Sequence, residues 1–176
     1  MPVANLGSYS PEDVIVLIQH PDFSFQVTGF VEGTFVSFQR SVDRATLVTS
    51  ADGNHSARVL RRNKSGTITL SLMQTSESND LLSRIGVLDE DSHSNKYLFS
   101  ILIKDTQGRS VLSASQAFLG NDPTMSFGVD GTETREWTIT VAEAVRHYGG
   151  NSKFSPDNES TVTSLGYTVE DQWKSN

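Results

Sequence analysis

The chain has 176 residues, no cysteine and a formal net charge of −7, with 14 basic against 21 acidic side chains. This length is enough for one domain with a sizeable core. The lack of cysteine excludes disulfides, thiolate metal sites and cysteine nucleophiles, and the negative charge argues against a broad nucleic-acid-binding face.

The N-terminal sequence, MPVANLGSYS, lacks the basic and apolar regions of a signal peptide. The apolar run at residues 14–18 is too short to cross a bilayer. We therefore expect a soluble protein without an encoded secretion signal and without membrane insertion.

The first elements are predicted to be strands. Residues 14–18 are apolar on both faces, which indicates a strand buried on both sides or one whose outer face meets another subunit. Residues 23–28 alternate between apolar and polar and follow a His-Pro-Asp turn, so they predict a hairpin partner. A further strand is predicted over residues 34–42.

Residues 43–64 are mostly polar and contain an Ala-Asp-Gly-Asn turn sequence, which predicts a long loop or flexible hairpin. This segment holds the chain's local concentration of positive charge. A solvated loop is the simplest interpretation, and we favour a docking loop that meets acidic residues of another copy over DNA contact. The candidate contact residues are Asp43, Arg44, Arg58, Arg61, Arg62 and Lys64.

The segment from residue 65 to residue 87 predicts a strand followed directly by a short helix. Ile68, Leu70 and Leu72 alternate with polar residues, the period of a half-buried strand. Polar residues 76–79 provide N-cap oxygens, and the predicted apolar stripe of the helix is Leu81, Ile85 and Leu88. Gly86 predicts the end of the helix after two or three turns.

Four strands are predicted after the helix, at residues 96–104, 109–119, 125–129 and 134–141. In the last of them Trp137, Ile139 and Val141 lie on one face. The pattern indicates a mainly β protein, an antiparallel β-sandwich or barrel of about eight strands with one short flanking α-helix. We divide the chain into a β domain, 1–148, and a Gly-, Ser- and Asn-rich segment, 149–176. That segment is either an arm that docks on a neighbour through its aromatics or a mobile end.

Motifs that would indicate an enzyme, such as a phosphate-binding glycine loop or a nucleophile elbow, are absent from the sequence. The four histidines are scattered, and the acidic run at residues 89–91 is interpreted as a solvated charge cluster rather than a cation site. We therefore predict no catalytic residues, no cofactor and no metal.

Several segments, in order, carry a resemblance to a known family: YSPEDV, VTGFVEGTFVSFQR, ADGN, KSGTITLSLMQTSESNDLLS and FGVDGTETREWTI. Together they resemble the tail-tube proteins of contractile-tailed bacteriophages, a group often described simply as phage structural proteins. The similarity covers about residues 9–143, and its most specific parts are residues 64–85 and 134–139.

The resemblance implies a non-enzymatic virion subunit, assembled in the host cytoplasm into hexameric rings that stack into the tail tube. Phage DNA would pass through the lumen without specific binding, and the partners would be further copies, tail sheath, baseplate and tail-terminator proteins. In such proteins a long early loop contacts the adjacent ring, which corresponds to residues 43–64 here. Lumen candidates are Thr67, Thr69 and Ser71.

Two other functions remain open from the sequence. A ring-forming tube protein of a contractile injection or secretion system would share the fold, and its gene neighbours would distinguish it. A small hydrolase or lectin-like module on a β-sandwich would need a convergent polar pocket, for which no residue set stands out.

Overall fold

A computed structural model describes residues 6–175 of the chain. The first five residues, part of the region with no signal-peptide pattern, lie outside the described residues, as does residue 176. The strands are β1 (Val14–His20), β2 (Phe23–Gln26), β3 (Val36–Arg40), β4 (Ala45–Thr49), β5 (Ser56–Leu60), β6 (Gly66–Met73), β7 (Phe99–Asp105), β8 (Val111–Asn121), β9 (Thr134–Val141) and β10 (Val145–His147), and the helices are α1 (Ser78–Ser92) and α2 (Pro156–Ser164).

Eight of these strands form one sheet in the order β2-β1-β7-β8-β9-β6-β3, with β10 paired to β8, while β4 and β5 form a separate two-stranded sheet. The pairs β1–β2, β3–β6, β6–β9 and β8–β9 are antiparallel. The prediction of a mainly β, antiparallel fold of about eight strands is therefore confirmed. α2 was not predicted.

The core is centred on β6 and β9. Ile68, Leu70 and Leu72 are completely buried, as the alternation predicts. Leu70 lies opposite Trp137 in the ladder, and Ile68 lies opposite Ile139. Full burial of each aliphatic side chain contributes about 1.5–3 kcal/mol, so these two strands hold much of the stabilising area.

Helix α1 differs from its prediction in length and in its buried face. It runs for 15 residues, and Leu82 and Ile85 are buried while Leu81 is 44% exposed. Gly86 lies inside the helix rather than at its end. A Cβ at this position would lie 3.3 Å from Cδ1 of Leu119, so the glycine permits close packing on β8. The chain leaves the helix at His93, whose φ is 44°.

The strand predicted at residues 125–129 is wrong. Residues 122–133 form an irregular connection between β8 and β9. Met125, Phe127 and Val129 are 80%, 74% and 102% exposed, so their alternation does not mark a core face. The alternating apolar spacing is typical of a strand, but here these side chains are exposed to solvent.

The described residues separate into two compact units. One contains residues 16–102 and 112–145, and the other contains 6–15, 103–111 and 146–175. In the first unit Val16 and Ile18 of β1 are completely buried and Leu17 is half-buried. In the part of the chain that the structure describes, no helix is both long and apolar enough to span a bilayer.

Candidate assembly surfaces

Residues 43–64 form an extended hairpin built from β4 and β5. The strands pair over five residues, from Ala45 opposite Leu60 to Thr49 opposite Ser56. Nine of the ten strand residues are exposed, and Thr46 is half-buried. An isolated two-stranded hairpin is marginally stable in water at best, so the structure leaves this element without the packing that normally supports one.

The turn of the hairpin is organised around Asp52. Its carboxylate accepts hydrogen bonds from the Ser50 hydroxyl and from the backbone and side-chain nitrogens of Asn54, the latter two at 3.2 Å. The Ser50 hydrogen bond, followed by those from Asn54, lowers the pKa of Asp52 from its ordinary value of 3.8. Gly53, at φ 72°, takes the left-handed conformation that the turn requires.

The base of the hairpin is held by a backbone hydrogen bond, by the Arg40 side chain and by an ion pair. The Arg61 amide donates to the Arg44 carbonyl at 3.0 Å, and the Arg40 guanidinium donates to the Arg61 carbonyl at 3.1 Å and, through Nε, to the Asn63 carbonyl at 2.9 Å. Lys64 closes the segment with a 2.9 Å ion pair to Glu143. The hairpin therefore leaves the sheet at a defined point.

The six residues predicted as contacts all lie on this hairpin or its base, and all are exposed. Arg58 lies within β5, whereas Asp43, Arg44, Arg61 and Arg62 flank the strands. The segment carries five basic and two acidic side chains, a formal charge of +3 in a chain whose total is −7. The hairpin is thus a local cationic element on an acidic protein.

Apolar side chains accompany this charge on both faces of the hairpin. Paired residues of an antiparallel ladder share a face, so Leu47, Arg58 and Leu60 lie on one face while Val48 and Val59 lie on the other. These four apolar side chains are between 42% and 73% exposed. Large exposed apolar side chains that cluster in this way mark surfaces for interaction.

A second surface lies between α1 and the connection that follows β8. This groove, which we call the α1 groove, has a volume of about 420 Å³. Its lining residues are Asn79, Asp80, Ser83, Gly86, Val87, Glu90, Asp122, Pro123, Met125, Arg135 and Trp137. The sequence did not predict this groove, because Met125 was interpreted as the first residue of a strand.

Arg135 holds one wall of the α1 groove in place. Its Nη1 donates to the carbonyls of Thr124 and Ser126 at 3.2 and 3.0 Å, and its guanidinium lies 5.3 Å from the Phe127 ring centroid. Trp137, two residues further along β9, donates from Nε1 to Asn79 Oδ1 of α1 at 2.9 Å. The groove combines apolar side chains with three carboxylates and one guanidinium.

Among residues 6–175, no three histidine, aspartate or glutamate side chains come together as a metal site. The acidic run at residues 89–91 lies in the last turn of α1. His20 accepts a hydrogen bond from the Asp22 amide and stacks on Phe23, while His147 stacks on Tyr167.

Comparison with known proteins places this architecture in a family. Residues 6–149 match the family described as Bacteriophage PhiTE tail tube protein. The chain is also 36% identical over 169 residues to the Structural protein ORF10 of Pseudomonas phage KPP10, an alignment that covers 95% of this chain and 96% of that protein.

Two solved structures match this chain at low sequence identity. The anti-feeding prophage cap, a tube-terminating cap, matches with a TM-score of 0.50 and 13% identity over 84% of this chain and 95% of its own. The sheath–tube complex of the PVC extracellular contractile injection system matches with a TM-score of 0.47 and 17% identity over 80% and 91%. The chain is a non-enzymatic structural component of a phage tail and belongs to the PhiTE tail tube protein family.

Proposed function

We propose that this protein is the repeating subunit of a phage tail tube, in which hexameric rings stack to form the conduit for DNA ejection. The observation that supports this proposal is the β4–β5 hairpin, which has four large apolar side chains exposed on its two faces. Because such a hairpin is poorly stable alone, we expect a neighbouring subunit to pack against it and bury these side chains. The phage relative favours a phage tail over an injection or secretion system.

The negative charge of the subunit supports the proposal that DNA passes through the lumen. Each copy carries −7, so a ring is strongly negative, and a lumen of that sign lets a polyanion slide without the tight phosphate binding that a basic lumen gives. Thr67, Thr69 and Ser71, half-buried on the β6 face opposite its core residues, are the proposed lumen residues. Their short uncharged side chains offer DNA no cationic contact.

In this proposal the remaining partners are the sheath, the baseplate and the tail terminator, and assembly takes place in the host cytoplasm. The inter-ring contacts are Asp43, Arg44, Arg58, Arg61, Arg62 and Lys64. The β domain at 1–148 forms the tube wall, which leaves residues 149–176 for an additional role.

Negative-stain electron microscopy of the purified protein across a concentration series, with and without baseplate, tests the proposal. We expect rings or tubes with a central hole and six-fold symmetry. A uniformly monomeric field at high concentration, even with baseplate present, contradicts it.

Charge reversal tests the inter-ring assignment. We expect Arg61→Glu with Arg62→Glu to shorten or abolish tubes while leaving the melting temperature of the monomer unchanged, because both side chains are exposed. Lys96→Glu with Lys104→Glu makes the same charge change at exposed positions away from the hairpin and is the matched control. If the variant with both arginines replaced forms tubes of unchanged length, these residues do not contribute to the contact between rings.

A further inference from the structure

The β4–β5 hairpin and the α1 groove are complementary surfaces on the same molecule. One hairpin face presents Leu47 and Leu60 on either side of Arg58. The α1 groove presents Val87 and Met125, which are 43% and 80% exposed, among carboxylates. Each surface therefore mixes apolar area with charge mainly of one sign, and the signs are opposite.

The carboxylates at the C-terminal end of α1 are not paired with basic residues of the same turn. Asp89, Glu90 and Asp91 lie in its last turn, where no basic side chain accompanies them. Of these three residues, Glu90 lines the α1 groove. Carboxylates near a helix C-terminus oppose the helix dipole and cost about 0.3–1 kcal/mol each. A residue pattern that breaks a local rule is expected where function requires it, and a cationic partner would offset this cost.

Neither surface is covered by its own chain. The hairpin is exposed along nearly its whole length, and Met125 in the α1 groove is mostly in water. We propose that the Leu47–Arg58–Leu60 face of one subunit's hairpin docks in the α1 groove of a second subunit. This inference rests on the proposed tube function and names the surface that receives the hairpin.

In the docked arrangement the leucines lie over Val87 and Met125, and Arg58 is placed near the carboxylates of Asp80, Glu90 or Asp122. Opposite charge fixes the register and speeds encounter, while the apolar contacts provide most of the affinity. Removal of the exposed apolar area of both surfaces from water is favourable. The same contact repeated by symmetry would link every subunit to a neighbour.

The absence of native cysteine makes site-specific cross-linking direct. Arg58→Cys and Val87→Cys are expressed together from separate genes, with baseplate present. The mixture is oxidised and then sedimented, and both the pellet and the supernatant are run on a non-reducing gel. We expect a disulfide-linked dimer on a non-reducing gel from the mixture and none from either variant alone. Ser83→Cys is a second groove position should Val87→Cys fail to fold.

Thr163→Cys, exposed on α2, replaces the groove variant as the control and should give no dimer with Arg58→Cys. Sedimenting tubes without a cross-link from either groove position overturn the docking inference and leave the tube function standing. Cross-linked dimers that never sediment as tubes support the docking and contradict the tube function. Protein that neither cross-links nor sediments contradicts both.

Discussion

The guanidinium of Arg109 lies 4.2 Å from the ring centroid of Phe154, stacked as a cation–π pair. The Trp173 ring lies 4.8 Å from the same guanidinium. Arg109 Nη1 also donates to the Ser152 carbonyl at 2.6 Å, and the Phe154 amide donates to the Trp173 carbonyl at 3.0 Å. One side chain in the turn after β7 thus holds two separate parts of the C-terminal segment.

Replacement of Arg109 by alanine should release this segment. The variant loses two cation–π contacts and a charged hydrogen bond, which together stabilise the docked segment by about 2 kcal/mol. We expect faster amide hydrogen exchange and faster proteolysis over residues 150–175, with little change in the protection of β6. Arg109→Lys keeps the positive charge but loses the planar stacking of the guanidinium on the rings. Its exchange and proteolysis rates should therefore lie between those of the wild type and Arg109→Ala. Unchanged exchange in Arg109→Ala would show that other contacts hold the segment.

Leu70→Asp tests the core. Leu70 is completely buried opposite Trp137, and an unpaired carboxylate there costs several kcal/mol, so we expect an unfolded or insoluble protein. Thr69→Asp changes the neighbouring, half-buried residue on the opposite face of β6 and should remain folded. Circular dichroism melts of both variants provide the comparison. A Leu70→Asp variant with native melting would contradict the assigned core face.

These core positions were predictable because their signal is local. In β6 the alternation of Ile68, Leu70 and Leu72 with polar residues reflects a single strand packed on one face. The same holds for β9, where Trp137 and Ile139 mark the buried face. In both strands one face carries the core residues and the other is half-buried or exposed, so the period-2 pattern appears in the sequence.

The misread elements depend on contacts with distant residues. Gly86 resembled a helix end, but its role is to make room for Leu119, which is distant in sequence. The helix instead ends at His93, a residue with no propensity signal for that position. Met125 and Phe127 alternate like strand residues although no neighbouring strand pairs with them among the described residues.

The two assembly surfaces also differ in whether their residues are close together in the sequence. The hairpin was readable because its charge and its turn sequence are contiguous. The α1 groove is formed where residues 122–125 come beside α1, so Met125 and Val87, which are distant in sequence, line one surface. A sequence gives no local sign of such a surface.

The hairpin turn should weaken in acid. The pKa of Asp52 is lowered in the folded state because its carboxylate accepts hydrogen bonds from Ser50 and Asn54. A lowered folded-state pKa means that the stabilisation is complete above the unfolded value of 3.8 and is lost as the pH falls through the folded value. We expect NMR signals of the Ser50 and Asn54 amides to report turn opening as the pH falls below the ordinary value of 3.8. Asp52→Asn is the control that should show no such transition.

Gly66 is the position where the smallest change should have a large effect. A Cβ there would lie 2.3 Å from a ring carbon of Phe38 and 2.7 Å from the Gln39 carbonyl oxygen. The backbone oxygen belongs to the β3–β6 ladder and cannot move without disturbing that pairing.

We therefore expect Gly66→Ala to lower the free energy of unfolding by about 1–3 kcal/mol, the usual cost of overpacking, measured by urea denaturation. Gly131→Ala is the matched control, because a Cβ there meets nothing within 4 Å, and it should change stability by less than about 0.5 kcal/mol. Equal stability of the two variants would mean that β3 can separate from β6 at little cost. In that case the sheet edge that carries the hairpin would be mobile, and the fixed geometry proposed for its docking would fail with it.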